Sequence, residues 1–191
     1  MVKNYNEALF RHNIMETERL ILRRFCMDDA ADLFECTSQP DMVKYLARDV
    51  FASVDDARTE IADKYLAKYG ALFWAAVLKE SGKVIGSFDL QPAPEDDTIG
   101  VGMKINQQYW GRGLGTEGIR RMLSLCFDDI GANRVEGVHY GGNTASGRVL
   151  VKCGMTQEYV ARQGAKIKNG VFVDVVYYGI TRGDYYGKKL Q

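Results

Sequence analysis

The spacing of apolar residues predicts the order of strands and helices along the chain. Alternation with a period of two, typical of half-buried strands, begins near Glu18 and returns at residues 73–78, 84–90 and 99–105. After the first strand, and again after the fourth, apolar residues recur at every third or fourth position, as on the buried face of a helix. The helix after the fourth strand is predicted to run to about Ile130.

Capping residues mark where the predicted helices begin and end. Asp28 and Asp29 open the first helix, and Ser53 begins a capping box for the second. Asn143 is placed to cap the last helix, which stops at Gly154 because glycine tolerates the left-handed conformation that ends helices. These signals place two helices before the second strand and two after the fourth.

Three further strands complete the pattern, near residues 134–139, 157–162 and 171–180. The resulting order, β-α-α-β-β-β-α-β-α-β-β, predicts a fold of the α/β class. Since no internal repeat or linker divides the chain, one domain is expected. Its predicted limits are residues 14–184, with an N-terminal extension over 1–13 and a C-terminal tail over 185–191.

Composition and charge argue against several classes of partner and site. The chain has 191 residues, with 25 Lys+Arg and 25 Asp+Glu, and a neutral protein has no bulk attraction to nucleic acid or an anionic membrane. It contains no run of about 18 apolar residues and no signal-peptide core at the N-terminus, so a cytoplasmic protein is expected. Its 4 cysteines form no Cys-x-x-Cys pair and its 2 histidines lie far apart, so neither a metal site nor disulfides are expected.

Glycine is concentrated in the middle of the chain, where 12 of the 20 glycines lie between Gly100 and Gly154. In the fourth predicted strand, Gly100 and Gly102 share a face with Lys104, opposite the apolar residues Ile99, Val101, Met103 and Ile105. A strand face without side chains leaves room for a ligand beside the backbone, or for a closely packed helix.

A glycine-rich turn over residues 111–118 joins that strand to the next helix. Unpaired N–H groups and the helix dipole favour an anion at such a point, and glycines let a phosphate approach the backbone. The alternative is a turn that only packs the helix on the sheet.

The same turn also satisfies the dinucleotide pattern G-x-G-x-x-G from Gly113, with Glu136 about 20 residues further on. That pattern starts at the end of a buried strand, whereas seven residues separate Ile105 from Gly113. Glu136 falls in the middle of a predicted strand, and too little chain follows for the remaining dinucleotide-binding strands. An NAD-binding oxidoreductase is therefore the least favoured alternative.

Three stretches resemble the GCN5-related N-acetyltransferases (GNAT), and within them the ribosomal-protein and polyamine acetyltransferase-like group. They are residues 16–23, residues 109–117, and Asn143–Ser146 followed by Lys152–Met155. The resemblance spans about residues 14–180. It implies the GNAT fold, a mixed, twisted central sheet of about seven strands flanked by about four helices.

The resemblance also implies an activity. A GNAT enzyme is an acyltransferase that moves an acetyl group from acetyl-CoA to a primary amine by direct attack in a ternary complex. The amine could belong to a protein N-terminus, a polyamine or another small molecule. The partners that the resemblance implies are coenzyme A and the amine acceptor. It implies no metal, no nucleic acid and no membrane, and the protein is expected to be a monomer or a homodimer.

In the family, the glycine turn and helix start hold the coenzyme A diphosphate, and the preceding strand holds the pantetheine arm. The corresponding binding positions are Met103, Lys104, Ile105, Gly111, Arg112, Gly113, Leu114, Gly115, Thr116, Asn143 and Ser146. The acceptor pocket is expected between the loop of about residues 36–51 and the hairpin loop 163–169.

The predicted catalytic residue is Ser146. The family commonly places a tyrosine seven residues after the motif asparagine to protonate the leaving thiolate, but this chain has Leu150 there. Members that modify ribosomal proteins resemble this chain in having a serine three residues after that asparagine, so Ser146 is the candidate acid or hydrogen-bond donor. Alternatively, Ser146 only bonds the helix backbone.

The general base is left open. Thr98 stands where the family often has a glutamate, so the candidates are Asp97, Asp89, His139 or water alone. Glu117 is explained by the helix dipole, which favours an acidic residue in the first turn. Because the usual tyrosine and glutamate are both missing, a non-catalytic acyl-CoA-binding or regulatory module is the alternative function.

Overall fold

The computed structural model describes residues 5–45, 49–68, 72–93 and 96–189. Its strands form one eight-stranded sheet in the order β1-β2-β3-β4-β5-β6-β8-β7. They are β1 (Ile14–Glu16), β2 (Leu20–Arg23), β3 (Phe73–Leu78), β4 (Val84–Ala93), β5 (Thr98–Ile105), β6 (Arg134–Tyr140), β7 (Thr156–Lys166) and β8 (Phe172–Thr181). All neighbouring strands are antiparallel except β5 and β6, which are parallel.

The helices are α1 (Tyr5–Arg11), α2 (Ala30–Thr37), α3 (Pro40–Val43), α4 (Val54–Glu60), α5 (Leu114–Ser124), α6 (Thr144–Lys152) and α7 (Arg182–Lys189). Helices α4 and α5 continue as π-helix over Ile61–Lys68 and Leu125–Ile130. The predicted caps of α4 and α6 are confirmed, since the Ser53 side chain accepts from the Asp56 N–H and the Asn143 side chain accepts from the Ser146 N–H.

The predicted α/β class with a mixed central sheet is confirmed, but the sheet has eight strands instead of about seven. The single strand predicted near Glu18 is a hairpin of β1 and β2, which are three and four residues long. β2 is the predicted strand, whereas β1 was missed because three residues are too few for a clear alternation. The dinucleotide alternative requires a mostly parallel sheet, and the described sheet has one parallel pair.

Helices cover both faces of the sheet. On one face, α5 approaches β4 so closely that a Cβ on Gly118 would lie 2.0 Å from the Phe88 ring. Phe88 is fully buried there with Trp74. On the other face, α2 and α4 bury Leu33, Ala57 and other apolar residues against β3 and β4. The sheet is therefore sandwiched between an α5/α6 face and an α2/α4 face.

Both chain ends pack against the domain. In the predicted N-terminal extension, α1 buries Ala8 and Leu9 in the core of the α5/α6 face. At the other end, the predicted boundary at residue 184 falls inside α7, whose Tyr185 stacks on Phe127 with ring centroids 4.6 Å apart. Burial of these side chains ties both segments to the domain.

Candidate active site

The parallel strands β5 and β6 separate after a short region of pairing. Thr98–Gly100 pairs with Arg134–Glu136, whereas the described register continues Val101–Ile105 against β4 alone. A wedge therefore opens beside β5 from Gly100 towards Ile105, and we call it the strand gap. Backbone groups along such an edge can bond an extended ligand in place of a strand.

The glycine-rich turn lies at the open end of the strand gap. Gly111 and Gly113 have φ angles of 76° and 80°, in the left-handed region that favours glycine. Gly113 caps α5 without a side chain, so the N–H groups of Leu114, Gly115 and Thr116 find no side-chain acceptor among the described residues. A Cβ on Gly111 would meet no atom within 4 Å. This open cradle of N–H groups suits a diphosphate.

The turn is braced by the β1–β2 hairpin, of which sequence analysis predicted only the second strand. Arg19 Nη1 donates to the Arg112 carbonyl at 2.8 Å, and Arg19 Nε donates to Glu117 Oε2 at 2.7 Å. Burial raises the pKa of Glu117, but hydrogen bonds from Thr17 and Arg19 outweigh it and hold that pKa below its ordinary value. Glu117 thus has specific partners besides the helix dipole.

The three residues predicted to bind the pantetheine arm border the strand gap. Met103 lies beneath α5, with its sulfur 3.1 Å from the position of a Cβ on Gly115. The Ile105 carbonyl accepts a hydrogen bond from Trp110 Nε1 at 2.6 Å, so this acceptor is already occupied. The Lys104 carbonyl lies against Gly86 of β4, and neighbouring strand residues point their N–H and C=O groups to opposite sides. The backbone of Met103 is therefore the better placed part of the predicted set, and that of Lys104 faces β4.

The glycine face of β5 does not leave the room that the sequence suggested. A Cβ on Gly102 would lie 2.5 Å from Asp89 Oδ1, and one on Gly100 would lie 3.1 Å from Gln91 Cβ. Both side chains come from β4, and Gln91 Nε2 donates to Asp89 Oδ2 at 3.0 Å. The glycines therefore allow a carboxylate and an amide to lie over β5, where sequence analysis expected a ligand or a helix.

Asn143 and Ser146 lie at the start of α6. Asn143 Oδ1 accepts the Ser146 N–H at 3.4 Å, whereas the Ser146 hydroxyl bonds no backbone carbonyl of the described residues. One turn later, Val149 is 3.8 Å from the Cβ position of Gly115 in α5. Residues three apart share a helix face. Ser146 therefore faces the first turn of α5, next to the predicted diphosphate site.

His139 faces away from that point. A groove of about 490 Å³ is lined by Thr144, Arg148 and Val151 of α6 together with His139. At about 100° per residue, these helix positions lie opposite Ser146. The His139 ring bonds Tyr178 Oη at 3.3 Å and the carbonyl of the next residue at 3.0 Å. The ring is thus occupied on the far side of α6 and is poorly placed to act in the strand gap.

The two acidic candidates differ in position. Asp97 precedes β5 at its closed end, and its carbonyl accepts the Asn133 N–H; it lies about 20 Å along the strand from Met103. Asp89 is the register partner of Gly102, where the strand gap begins. Burial raises the pKa of Asp89, against the lowering effects of Gln91, Lys64 and Lys104. Asp89 is therefore the candidate base that the geometry favours.

The two loops predicted to shape an acceptor pocket are in contact with each other. Lys168 of the hairpin loop forms an ion pair with Asp49, and Tyr45 Oη donates to the Gly142 carbonyl at 3.0 Å. Residues 46–48 of the first loop lie outside the described residues. Tyr45 was not predicted as part of the site, because no local pattern connects it with a glycine 97 positions away.

In the described parts of the chain, no group of three or more His, Cys, Asp or Glu side chains could hold a metal ion. The described helices include none that is long and apolar enough to span a bilayer. The four cysteines Cys26, Cys36, Cys126 and Cys153 are unpaired.

Comparison with known proteins identifies the family. The model of the acetyltransferase (GNAT) domain matches residues 19–156. An uncharacterized N-acetyltransferase of Bacillus subtilis, YoaA, is 30% identical over 173 residues, which cover 88% of this chain and 97% of that protein.

Solved structures share the fold. The acetyltransferase (GNAT family) from Bacillus anthracis superposes with a TM-score of 0.80 at 25% identity, covering 88% of this chain and 98% of that one. The microcin C7 self-immunity acetyltransferase MccE, solved in complex with acetyl-CoA and AMP, has a TM-score of 0.75 at 21% identity. That alignment covers 86% of this chain and 93% of MccE.

Proposed function

The chain belongs to the GNAT family of acetyltransferases, and from this premise we propose that it transfers acetyl from acetyl-CoA to a primary amine in a ternary complex. The observation that carries the proposal is the strand gap, which opens beside β5 and ends at the N–H groups of the glycine-rich turn. A long ligand with a diphosphate at one end and an extended arm at the other fits that arrangement.

Each part of the site has a role in this proposal. The N–H groups of Leu114, Gly115 and Thr116 bind the diphosphate with the help of the helix dipole. The backbone of Met103 aligns the pantetheine arm as an added strand would be aligned. When bound, acetyl-CoA supplies the thioester that the amine attacks. Holding both reactants in the gap increases the rate of transfer, because the reaction no longer depends on an encounter of the two reactants in solution.

Two side chains assist the transfer, one as a general base and the other as a hydrogen-bond donor to the leaving sulfur. Asp89 accepts a proton from the entering ammonium group, because only a neutral amine can attack the thioester carbon. Ser146 donates a hydrogen bond to the leaving sulfur, whose negative charge grows as the C–S bond breaks. The buried Leu150 takes no part, since its side chain packs 2.9 Å from the Cβ position of Gly137.

The compartment and the absence of a metal belong to the same proposal. Four unpaired cysteines are typical of a reducing compartment, which supports the cytoplasm. Acyl transfer along this route requires no metal, and the described residues contain no cluster suited to one.

The test compares two glycine variants. Gly113→Ala places a side chain at a φ of 80°, which costs about 1–2 kcal/mol and reorients the first turn of α5. We expect it to weaken coenzyme A binding about tenfold, measured by calorimetry, and to lower thiol release from acetyl-CoA. Gly82→Ala is the control, because Gly82 has a φ of 71°, its added Cβ would meet no atom within 4 Å, and it lies in the turn between β3 and β4, outside the glycine-rich turn.

The outcomes separate the candidate functions. If neither variant changes coenzyme A binding, the glycine-rich turn is not the diphosphate site. If the natural chain binds coenzyme A but releases no thiol with any amine, the chain is the non-catalytic acyl-CoA-binding module. Saturable binding of NAD(H) in place of coenzyme A would favour the dinucleotide alternative.

A further inference from the structure

A pair of glycines joins β6 to α6 at the wide end of the strand gap. Gly141 and Gly142 follow the last residue of β6, and Asn143 caps α6. Gly142 has a φ of 89°, in the left-handed region. Because glycines restrict the backbone least, the shape of this turn depends on contacts that hold its peptide groups. One such contact is the Gly141 N–H, which donates to the Asp174 carbonyl at 2.7 Å.

The next peptide group, between Gly142 and Asn143, is held at both of its ends. Tyr45 Oη donates to the Gly142 carbonyl at 3.0 Å, and the Asn143 N–H donates to the Tyr140 carbonyl at 2.9 Å. The C=O and N–H of a planar trans peptide point in opposite directions. The two hydrogen bonds together therefore fix the rotation of the whole group.

The ring of Tyr45 also fits the missing side chain of Gly142. A Cβ on Gly142 would lie 3.1 Å from Tyr45 Cε1 and 3.3 Å from Oη. The ring thus packs where a side chain would stand, and its hydroxyl reaches the carbonyl of the same residue. Tyr45 and the turn therefore match each other in shape as well as in hydrogen bonding.

Tyr45 belongs to a segment that also contacts the other strand beside the gap. Earlier in this segment, Asp41 Oδ2 accepts from Gln107 Nε2 at 3.0 Å. Glu35 Oε1 accepts from Asn106 Nδ2 at 3.1 Å. Asn106 and Gln107 directly follow β5. The segment therefore bridges the ends of β5 and β6, so Tyr45 is anchored to one strand while it bonds the turn after the other.

The position of Ser146 follows from that of Asn143. Asn143 Oδ1 accepts the Ser146 N–H at 3.4 Å, and both residues belong to the start of α6. A rotation of the Gly142–Asn143 peptide would shift this start and the Ser146 hydroxyl with it. Misplacing a reacting group by about 1 Å can cost about 10²-fold in rate. The contact at Gly142 therefore bears on the chemistry at the sulfur.

Resting on the proposed function, we propose that Tyr45 is a positioning residue for the transfer and acts through Ser146. Its hydroxyl holds the Gly142–Asn143 peptide, and the start of α6 then directs the Ser146 hydroxyl to the leaving sulfur. Tyr45 itself neither gives nor takes a proton in the reaction. Because Tyr45 lies in the loop expected to shape the acceptor pocket, that loop also helps to build the part of the site that acts on the sulfur.

The first arm of the test measures the contact without any acceptor. Tyr45→Phe removes the hydroxyl and keeps the ring. In this variant, the amides of residues 140–146 should exchange hydrogen about threefold to tenfold faster, because one hydrogen bond fewer holds the turn. Mass spectrometry measures the exchange. Tyr186→Phe is the matched control, since Tyr186 Oη also donates to a backbone carbonyl, that of Phe127, at 3.2 Å.

The second arm places Tyr45→Phe both in the natural chain and in Ser146→Ala. Thiol release from acetyl-CoA is measured with spermidine, ethanolamine, phenylalanine and a peptide with a free N-terminus, and the fastest acceptor is then used throughout. In the natural chain, we expect kcat to fall about threefold to fivefold, with the Kd for coenzyme A within about twofold. In Ser146→Ala, kcat should change less than about twofold, because the hydroxyl that Tyr45 positions is gone.

The results separate this inference from the proposed function. If the natural chain releases no thiol with any of these amines, the proposed transfer fails and this inference fails with it. If the natural chain is active, equal losses of kcat in both backgrounds overturn this inference alone, since Tyr45 would then act by another route. Unchanged exchange or unchanged kcat in Tyr45→Phe also overturns it. So does a natural kcat in Ser146→Ala, because Tyr45 would have no group to position.

Discussion

The two faces of the sheet meet at the strand gap, but they are built from different kinds of groups. On the α5/α6 face, the glycine-rich turn offers backbone N–H groups from a contiguous segment, Gly111–Thr116. On the α2/α4 face, the charged groups are the side chains of Asp89, Lys104 and Lys64, which come from three elements. In the proposed function, one face binds coenzyme A through the main chain and the other binds the acceptor through side chains.

This difference affects how each half of the site can change. Main-chain N–H groups survive most substitutions, provided that the φ angles of the turn are kept, so binding of a constant co-substrate is robust. A single substitution at Asp89, Lys64 or Lys104 alters the charge of the other face. We therefore expect the α5/α6 face to determine the donor and the α2/α4 face to determine the acceptor.

The largest expected effect comes from Asp89→Asn. The amide keeps the shape above Gly102 and can still accept from Gln91, but it cannot take a proton from the amine. We expect kcat to fall by about 10²–10⁴-fold, the range typical of a lost general base, while the Kd for coenzyme A stays unchanged. Steady-state assays of thiol release measure kcat, and calorimetry measures the Kd for coenzyme A.

The stability of this variant sharpens the interpretation. Because burial raises the pKa of Asp89, the folded protein holds this carboxylate at a cost, and the neutral amide should unfold at the same temperature or higher. If the variant keeps the natural kcat, Asp89 is not the general base and water takes that role. A variant that loses coenzyme A binding would mean that the two faces are not independent.

A smaller effect is expected from Ser146→Ala, on the α5/α6 face. Losing one hydrogen bond to the leaving sulfur should lower kcat about tenfold and leave coenzyme A binding within about threefold. Thr144→Ala is the control on the same helix, since its hydroxyl bonds Arg148 at 3.2 Å and lines the groove on the opposite side. Equal losses in both variants would indicate damage to α6 instead of a catalytic role.

Features set by neighbouring residues in the sequence were predictable. The caps at Ser53 and Asn143, the strand alternation and the glycine-rich turn each depend on a few adjacent positions, and the structure places them as expected. Of the β1–β2 hairpin, β2 was predicted, and β1 was missed because a three-residue strand carries almost no periodic signal. The α7 helix crosses the expected tail boundary because Tyr185 and Tyr186 bury their rings, a tertiary effect without a local pattern.

Contacts between distant elements were not predictable. The glycines of β5 correctly marked an unusual surface, but the sequence does not state which β4 residues lie opposite them. Pairing Gly102 with Asp89 requires the register of two strands. Bringing Lys64 over Phe73, the cross-strand partner of Asp89, requires the packing of the π-helical continuation of α4. The side-chain half of the site therefore emerged from the structure, whereas the main-chain half was visible in the sequence.

The smallest effect is expected at Glu117, and it tests whether the contact of the β1–β2 hairpin with the glycine-rich turn matters to coenzyme A binding. The pKa of Glu117 is lowered, so its ion pair with Arg19 stabilises the folded state above the ordinary carboxyl pKa and is lost as the pH falls through the lowered value. At pH 7, Glu117→Gln should lose about 1 kcal/mol or less of unfolding free energy, measured with urea, and this difference should shrink below pH 4.

A matched substitution separates stability from binding. Glu158 is also held at a lowered pKa, by Arg134 at the far edge of the sheet, so Glu158→Gln should show the same dependence of stability on pH. Only Glu117→Gln should also weaken coenzyme A binding, about twofold, because Arg19 then holds the Arg112 carbonyl less firmly. Identical coenzyme A affinities in the two variants would show that the glycine-rich turn keeps its shape without the hairpin, since its own φ angles would then suffice.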